Sequence, residues 1–212
     1  DVEQDDGDTA VPGQQLARLG GGVGMPQHQG TAEDADRVQG ELGCGVHLVV
    51  VVDNAEMCTY IDSSDEWIQQ RTGIVERRWV SEGETVESLS LDAARQAIAH
   101  AGLTPSDIDA VIISTISHLV QTPSLAAIVA AKLGCTDAAA FDIAAACAGF
   151  CYGLAQAESL VRSGAATHVV VIGDETLSKL NDHHDRSTAF LFAEAAGAAA
   201  VGPSETPPTT PV

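Results

Sequence analysis

The sequence predicts an α/β fold in which a mostly parallel central sheet carries helices on both faces. Short runs with consecutive apolar, β-branched residues, such as Ala110–Thr115 and Thr167–Ile172, lack the alternation of half-exposed strands and fit strands buried on both sides. Between them lie helical stretches opened by hydroxyl or carboxylate residues and closed by glycine. Strands and helices take turns along the chain, as crossover connections between parallel strands require.

The elements follow in order. Ser63, Ser64 and Asp65 can cap a short helix that runs through Gln70 and ends near Gly73. Thr85 can cap a longer one, with Leu91, Ala94, Ile98 and Ala101 on one face and Gly102 as its stop. Ala110–Thr115 is a strand, Ser124–Leu133 a helix, and Ala139–Ile143 a strand. A helix then runs from about Cys147 to Ser163, with Phe150, Cys151, Leu154 and Val161 as its apolar face and Gly164 closing it. Thr167–Ile172, Ser187–Phe192 and Gly197–Val201 complete the alternation.

Both ends differ from this pattern. Residues 1–46 are rich in Gly, Gln and Asp, and carry nine acids against two bases, so we expect a poorly ordered segment. Residues 203–212 read as a Pro/Thr-rich tail, leaving 47–202 as the folded unit. Apolar residues make up 45% of the 212, enough for a sizeable core. No apolar run reaches the length of a membrane span, and the start lacks the order of a secretory signal. The net charge of −20 argues against nucleic acid, because phosphate is repelled. Arg71, Arg77 and Arg78 still leave room for a local anion site. Five cysteines (Cys44, Cys58, Cys135, Cys147, Cys151) show neither a disulfide framework nor the spacing of a zinc site, so we expect no metal and mostly small buried thiols.

The most informative segment is Phe141 to Phe150, where a buried strand runs through very small residues into a helix at Cys147. Small neighbours let the backbone turn sharply and let a substrate approach. A thiol at a helix N-terminus meets the positive end of the helix dipole, which favours the attacking thiolate. Amide N–H groups there can hold a developing oxyanion. A buried apolar cysteine fits the same spacing, and Cys151 reads more simply as core than as a partner thiol.

Several motifs in register resemble the β-ketoacyl-acyl-carrier-protein synthase III family. They are Asp65-Glu66-Trp67-Ile68 with Arg71-Thr72-Gly73-Ile74 and Glu76-Arg77-Arg78; Ala140-Phe141-Asp142 with Ala145-Ala146-Cys147-Ala148-Gly149-Phe150; and Asp185-Arg186-Ser187-Thr188 with Leu191-Phe192 and Ala196-Gly197-Ala198. The resemblance runs from about Val52 to Pro207. It implies a thiolase-like fold of two similar α/β halves, of which this chain holds the first. It also implies a cytoplasmic homodimer that needs no tightly bound cofactor. Such an enzyme takes an acyl group from acyl-CoA onto a cysteine and condenses it with malonyl-acyl-carrier-protein, starting fatty-acid or polyketide synthesis by covalent ping-pong chemistry. Carried over residue by residue, Cys147 matches the acylated cysteine. Trp67 and Arg71 match the pair that sandwiches the adenine of CoA, and Arg186 matches a further arginine there. Leu177 and Phe192 match acyl-pocket residues. Thr122 lies in the loop that reaches the partner subunit's pocket; many members carry Phe there, so a smaller residue suggests bulkier primers. Without the resemblance, Trp67, Leu177 and Phe192 read as packing residues, and Arg71 and Arg186 as solvated charges.

The match has gaps. The family's catalytic His and Asn lie in its second half, and His118, His168, His183 and His184 match neither. Ala193-Glu194-Ala195 stands where the family usually reads Gly-Asp-Gly, so strain is expected there if those positions need positive φ. Both ends lose the resemblance abruptly, which suggests a truncated or frame-shifted reading of a longer gene. Two alternatives stay open: a Cys-dependent α/β-hydrolase with His183 or His184 as base, and a non-catalytic fragment or subunit of a ketosynthase assembly. A chain holding one half should also expose apolar surface and self-associate.

Overall fold

The computed structural model describes residues 50–203 and the backbone of residues 38–43. Cys44 and most of the segments 1–46 and 203–212 lie outside the described residues. The elements are β1 (Val38–Gly43), β2 (Val50–Asp53), α1 (Asn54–Tyr60), α2 (Asp65–Thr72), β3 (Glu76–Trp79), α3 (Val86–His100), β4 (Ala110–Ser114), α4 (Leu125–Leu133), β5 (Ala139–Ile143), α5 (Gly149–Arg162), β6 (Val169–Thr176) and β7 (Glu194–Pro203). The main sheet has the order β1-β7-β6-β4-β5. β4 pairs parallel with β5 and β6, whereas β7 runs antiparallel to both β6 and β1. Only β7 therefore runs against the other strands. β1 pairs along its length with Ala198–Pro203 of β7, inside a stretch whose sequence shows no strand period.

Each face of the sheet has its own core. Val111 and Ile113 of β4 and Val170 and Ile172 of β6 pack with Leu89, Leu91 and Ile98 of α3 and Leu125 and Val129 of α4. The alternate residues Ile112, Val169 and Val171 pack with Ala157 of α5. Strand alternation with helices on both sides is why apolar residues stand consecutively in those runs. A smaller core joins α1, α2 and the β2–β3 pair to Ala189 and Phe190 through Val52, Met57 and Ile68.

The helices are capped where the sequence offers a hydroxyl or a carboxylate. Asp53, Ser64, Thr85 and Ser124 each accept an N–H from the first turn of α1, α2, α3 and α4. Asp142 of β5 adds a second cap to α4, accepting from Leu125 and Ala126 at 2.7 and 2.8 Å. The role of Asp142 is set by a neighbour in space and carries no local signal. Gly73 and Gly134 end α2 and α4 in the left-handed region.

Two expectations change. Ser187–Phe192 is no regular element but a run of turns, with Leu191 N–H donating to Thr188 O at 3.0 Å. The apolar face expected on α5 holds for Phe150, Leu154 and Val161, which pack against the sheet, but not for Cys151. α5 turns Gly149, Gly153 and Ala157 to the sheet, while Cys151 and Tyr152 are exposed. A Cβ at Gly149 would stand 2.0 Å from Ser114 Oγ, and one at Gly153 2.8 Å from Val171 Cγ1. The smallest residues bring helix and strand closest, and the larger Phe150, Leu154 and Val161 pack beside that contact. Exposed Phe141 on the edge strand β5 and exposed Tyr152 on α5 leave apolar surface on this side.

Gly149→Ala should lower the denaturant midpoint by the equivalent of about 1–3 kcal/mol, because the buried Ser114 hydroxyl must turn away and its Cβ still stands 3.1 Å from the added methyl. Gly197→Ala, where an added Cβ would meet nothing within 4 Å, should leave the midpoint unchanged or slightly raised. Equal losses in the two variants would contradict this packing.

Candidate active site

Cys147 stands in a single 3-10 turn, Ala146–Ala148, between the end of β5 and the start of α5. It is exposed. No side chain caps α5, in contrast to α1 to α4. Ala146 has φ 46°, and is the only non-glycine with positive φ among the described residues. A left-handed alanine costs about 1–2 kcal/mol, and such backbone collects at functional turns. The expected strain at Ala193 to Ala195 is absent. β7 already begins at Glu194, so this stretch enters the sheet instead of turning.

Cys147 opens on a cavity of about 320 Å³. Its walls are Ser114 of β4, Phe150 of α5, Gly173 to Glu175 of β6, and Ala193 to Ala195. Gly173 is needed here, since a Cβ would press within 3.1 Å of the Phe150 ring. Glu175 accepts from Ile116 N–H at 3.1 Å and from the Ser117 hydroxyl, which pins the loop after β4 beside the cavity.

Asp174 alternates to the opposite face and is buried, with Oδ2 accepting from Ser90 Oγ of α3 at 2.7 Å. Its Oδ1 has no hydrogen-bond partner. Burial pushes the Asp174 carboxyl up to about 8, with the charges of Glu175 and Glu194 adding to the effect. Glu194, equally buried, is held by the Val80 amide and the Ser178 hydroxyl. Asp174 does not stand out in the sequence, and Glu194 stands out only as a departure from the family's Gly-Asp-Gly, because a carboxylate near a strand end looks solvated until the layers close over it.

The second cluster forms around Trp67. The guanidinium carbons of Arg71 and Arg186 lie 4.1 and 4.5 Å from its ring centroid. Phe190 meets it edge-on at 5.3 Å. A base inserted between Trp67 and either arginine would need roughly twice that separation, so a stacked ligand must displace a guanidinium. The structure thus brings Trp67, Arg71 and Arg186 together, but none of them lines the Cys147 cavity. Leu177, half-buried in the turn after β6, Phe192, exposed before β7, and Thr122, exposed before α4, stand outside that lining as well. His183 and His184 are also absent from it, and each bonds a backbone carbonyl instead. Among the described residues, no cluster of three or more His, Cys, Asp or Glu could hold a metal, and no helix is long and apolar enough to cross a membrane.

The fold thus places an exposed cysteine at a strand-to-helix turn of an α/β sheet, beside a cavity, an arrangement found in thiolase-like proteins. A family model described as 3-oxoacyl-[acyl-carrier-protein] synthase III matches residues 141–210. β-Ketoacyl-[acyl-carrier-protein] synthase III 1 of Streptomyces avermitilis is 54% identical over 167 residues, covering 78% of this chain and 47% of that protein. The crystal structure of the priming β-ketosynthase from the R1128 polyketide biosynthetic pathway superposes with a TM-score of 0.76 at 44% identity, over 81% of this chain and 52% of that one. The 3-oxoacyl-[acyl-carrier-protein] synthase III of Aquifex aeolicus VF5 gives 0.75 at 43% identity, over 79% and 55%. The chain belongs to the β-ketoacyl-acyl-carrier-protein synthase III family and spans about half the length of the curated relatives it matches.

The Asp174 carboxyl predicts a pH-dependent stability. Between its ordinary value of 3.8 and about 8, the folded chain keeps a proton that the unfolded chain has released. Its contribution is therefore full below about pH 4 and is lost as pH rises through about 8. In urea unfolding, Asp174→Asn should gain on the native chain steadily across that window and level off above it. A difference independent of pH would refute the assignment.

Proposed function

We propose that this chain carries the acyl-loading half-reaction of a ketosynthase that starts fatty-acid or polyketide synthesis. The Cys147 thiolate attacks the carbonyl carbon of an acyl-CoA thioester. The CoA thiolate leaves, and the acyl group remains on Cys147. The observation that carries this reading is the exposed thiol beside the left-handed Ala146, at the mouth of the cavity and ahead of an uncapped helix. Amide N–H groups at that helix start supply donors for the tetrahedral oxyanion.

Trp67 and Arg186, with Arg71, serve the nucleotide end of CoA, a base taking the place of one guanidinium in the stack. Leu177 and Phe192 border the acyl group's path, and Thr122 serves the pocket of a partner subunit in a homodimer. Condensation with malonyl-acyl-carrier-protein releases carbon dioxide and draws on groups in the half of the family's length that this chain does not span. The protein works in the cytoplasm and holds no resident cofactor. The hydrolase alternative loses its base, since neither His183 nor His184 lines the Cys147 cavity.

Incubation with isotope-labelled acetyl-CoA should add one acyl group, mapped by peptide mass spectrometry to Cys147. Cys147→Ser should abolish the label. Trp67→Ala and Arg186→Ala should each slow labelling at subsaturating acetyl-CoA by about tenfold, or about 1.4 kcal/mol. A branched acyl-CoA should load at least as well as acetyl-CoA, given the small Thr122. Label on Cys151 alone, or none, would overturn the reading.

A further inference from the structure

The loop between β6 and β7 carries Arg186, and its internal bonds fix its shape but not its place. Asp185 accepts from Ser187 N–H, Ser187 Oγ and Thr188 Oγ1 at 2.9, 2.7 and 2.8 Å, all within the loop. The loop's C-terminal part is seated by Ala189 and Phe190 in the core with Met57 and Ile68, and the segment that carries Arg186 is tied by hydrogen bonds to the exit of α1. His184 Nδ1 meets Tyr60 O at 3.0 Å, and Arg186 Nε donates to Asp62 O. A carbonyl has no proton to give, so His184 holds its hydrogen on Nδ1 and donates it. Tyr60 is the last residue of α1, whose terminal carbonyls lack intrahelical donors. Two loop donors two residues apart thus grip two carbonyls two residues apart, a short ladder in constant register. His183 backs it, lying 4.6 Å from the Trp79 ring and donating through Nε2 to Ser178 O at 2.7 Å.

We propose that His184, supported by His183, is a positioning residue that holds the Arg186 loop in register with Trp67 for the nucleotide end of acyl-CoA. This rests on the site proposed above. When a base enters the stack, Arg186 must leave the indole face, and the His184 rung keeps the loop from sliding along α1 as it does so. His184 touches no reacting atom, so its effect falls on binding and not on chemistry.

Calorimetric titration of the full chain with CoA, paired with single-turnover acylation by saturating acetyl-CoA, tests this. His184→Ala should weaken CoA binding about fivefold, as loss of one hydrogen bond of about 1 kcal/mol implies, and leave the saturated acylation rate within twofold. His184→Asn, whose amide N–H replaces Nδ1–H, should restore binding to within twofold. Hydrogen exchange at Arg186 to Thr188, read without CoA, should rise in the alanine variant and return in the asparagine one. Native-like binding and exchange in His184→Ala, or failure of asparagine to rescue, overturns the positioning role while Trp67→Ala and Arg186→Ala still bind poorly. Absence of CoA binding by the unaltered chain overturns the nucleotide site itself, and the positioning role with it.

Discussion

The structure depends on how closely α5 lies against the sheet. At Gly149 and Gly153 even one methyl group would collide with Ser114 and Val171, so the helix backbone rests directly on the side chains of the strands. That contact sets where the chain must turn between β5 and α5. The turn is tight enough to force Ala146 into a conformation an L-residue avoids, and it lifts the following thiol to the surface. The exposed thiol and the strained residue are two results of one packing distance.

Around this contact the protein uses buried polar groups as fasteners. Asp142 ties β5 to α4, Glu194 joins the β3 exit and the turn after β6 to the start of β7, and Ser90 fixes Asp174 under α3. Each links segments distant in sequence, so their cost in desolvation is offset only in the assembled layers. Asp174 is the least satisfied, with one oxygen unpartnered, and that defect ties the fold to proton activity.

Much of this is legible in the chain. Consecutive apolar residues at Ala110–Ile113 and Val169–Ile172 announce β4 and β6, and Ser64, Thr85, Ser124, Gly73 and Gly134 bound their helices because capping is a local event. What escapes notice is what depends on distant partners. Phe150, Leu154 and Val161 announce the packed face of α5 by hydrophobicity, but its closest contacts, at Gly149, Gly153 and Ala157, come from residues with little or no side chain. Cys151 reads as core and stands exposed. The strain expected at Ala193 to Ala195 belongs to Ala146, because pairing with β6 straightens one stretch while the helix contact bends the other. Within the candidate site, Cys147 and the Trp67–Arg71 spacing are visible as motifs. The bond from His184 to the end of α1 spans 124 positions and leaves no local trace.

The exposure of Cys151 one helical turn beyond Cys147 has a practical side for covalent chemistry. Electrophiles that react by access alone will find two sulfurs on the same short stretch of protein. Counting modified thiols, or watching a whole-protein reagent titration, therefore gives no measure of which one is the acyl acceptor. A warhead intended for Cys147 has to gain its selectivity from the Phe150–Gly173 wall beside it, since the neighbouring sulfur competes for the same reagent.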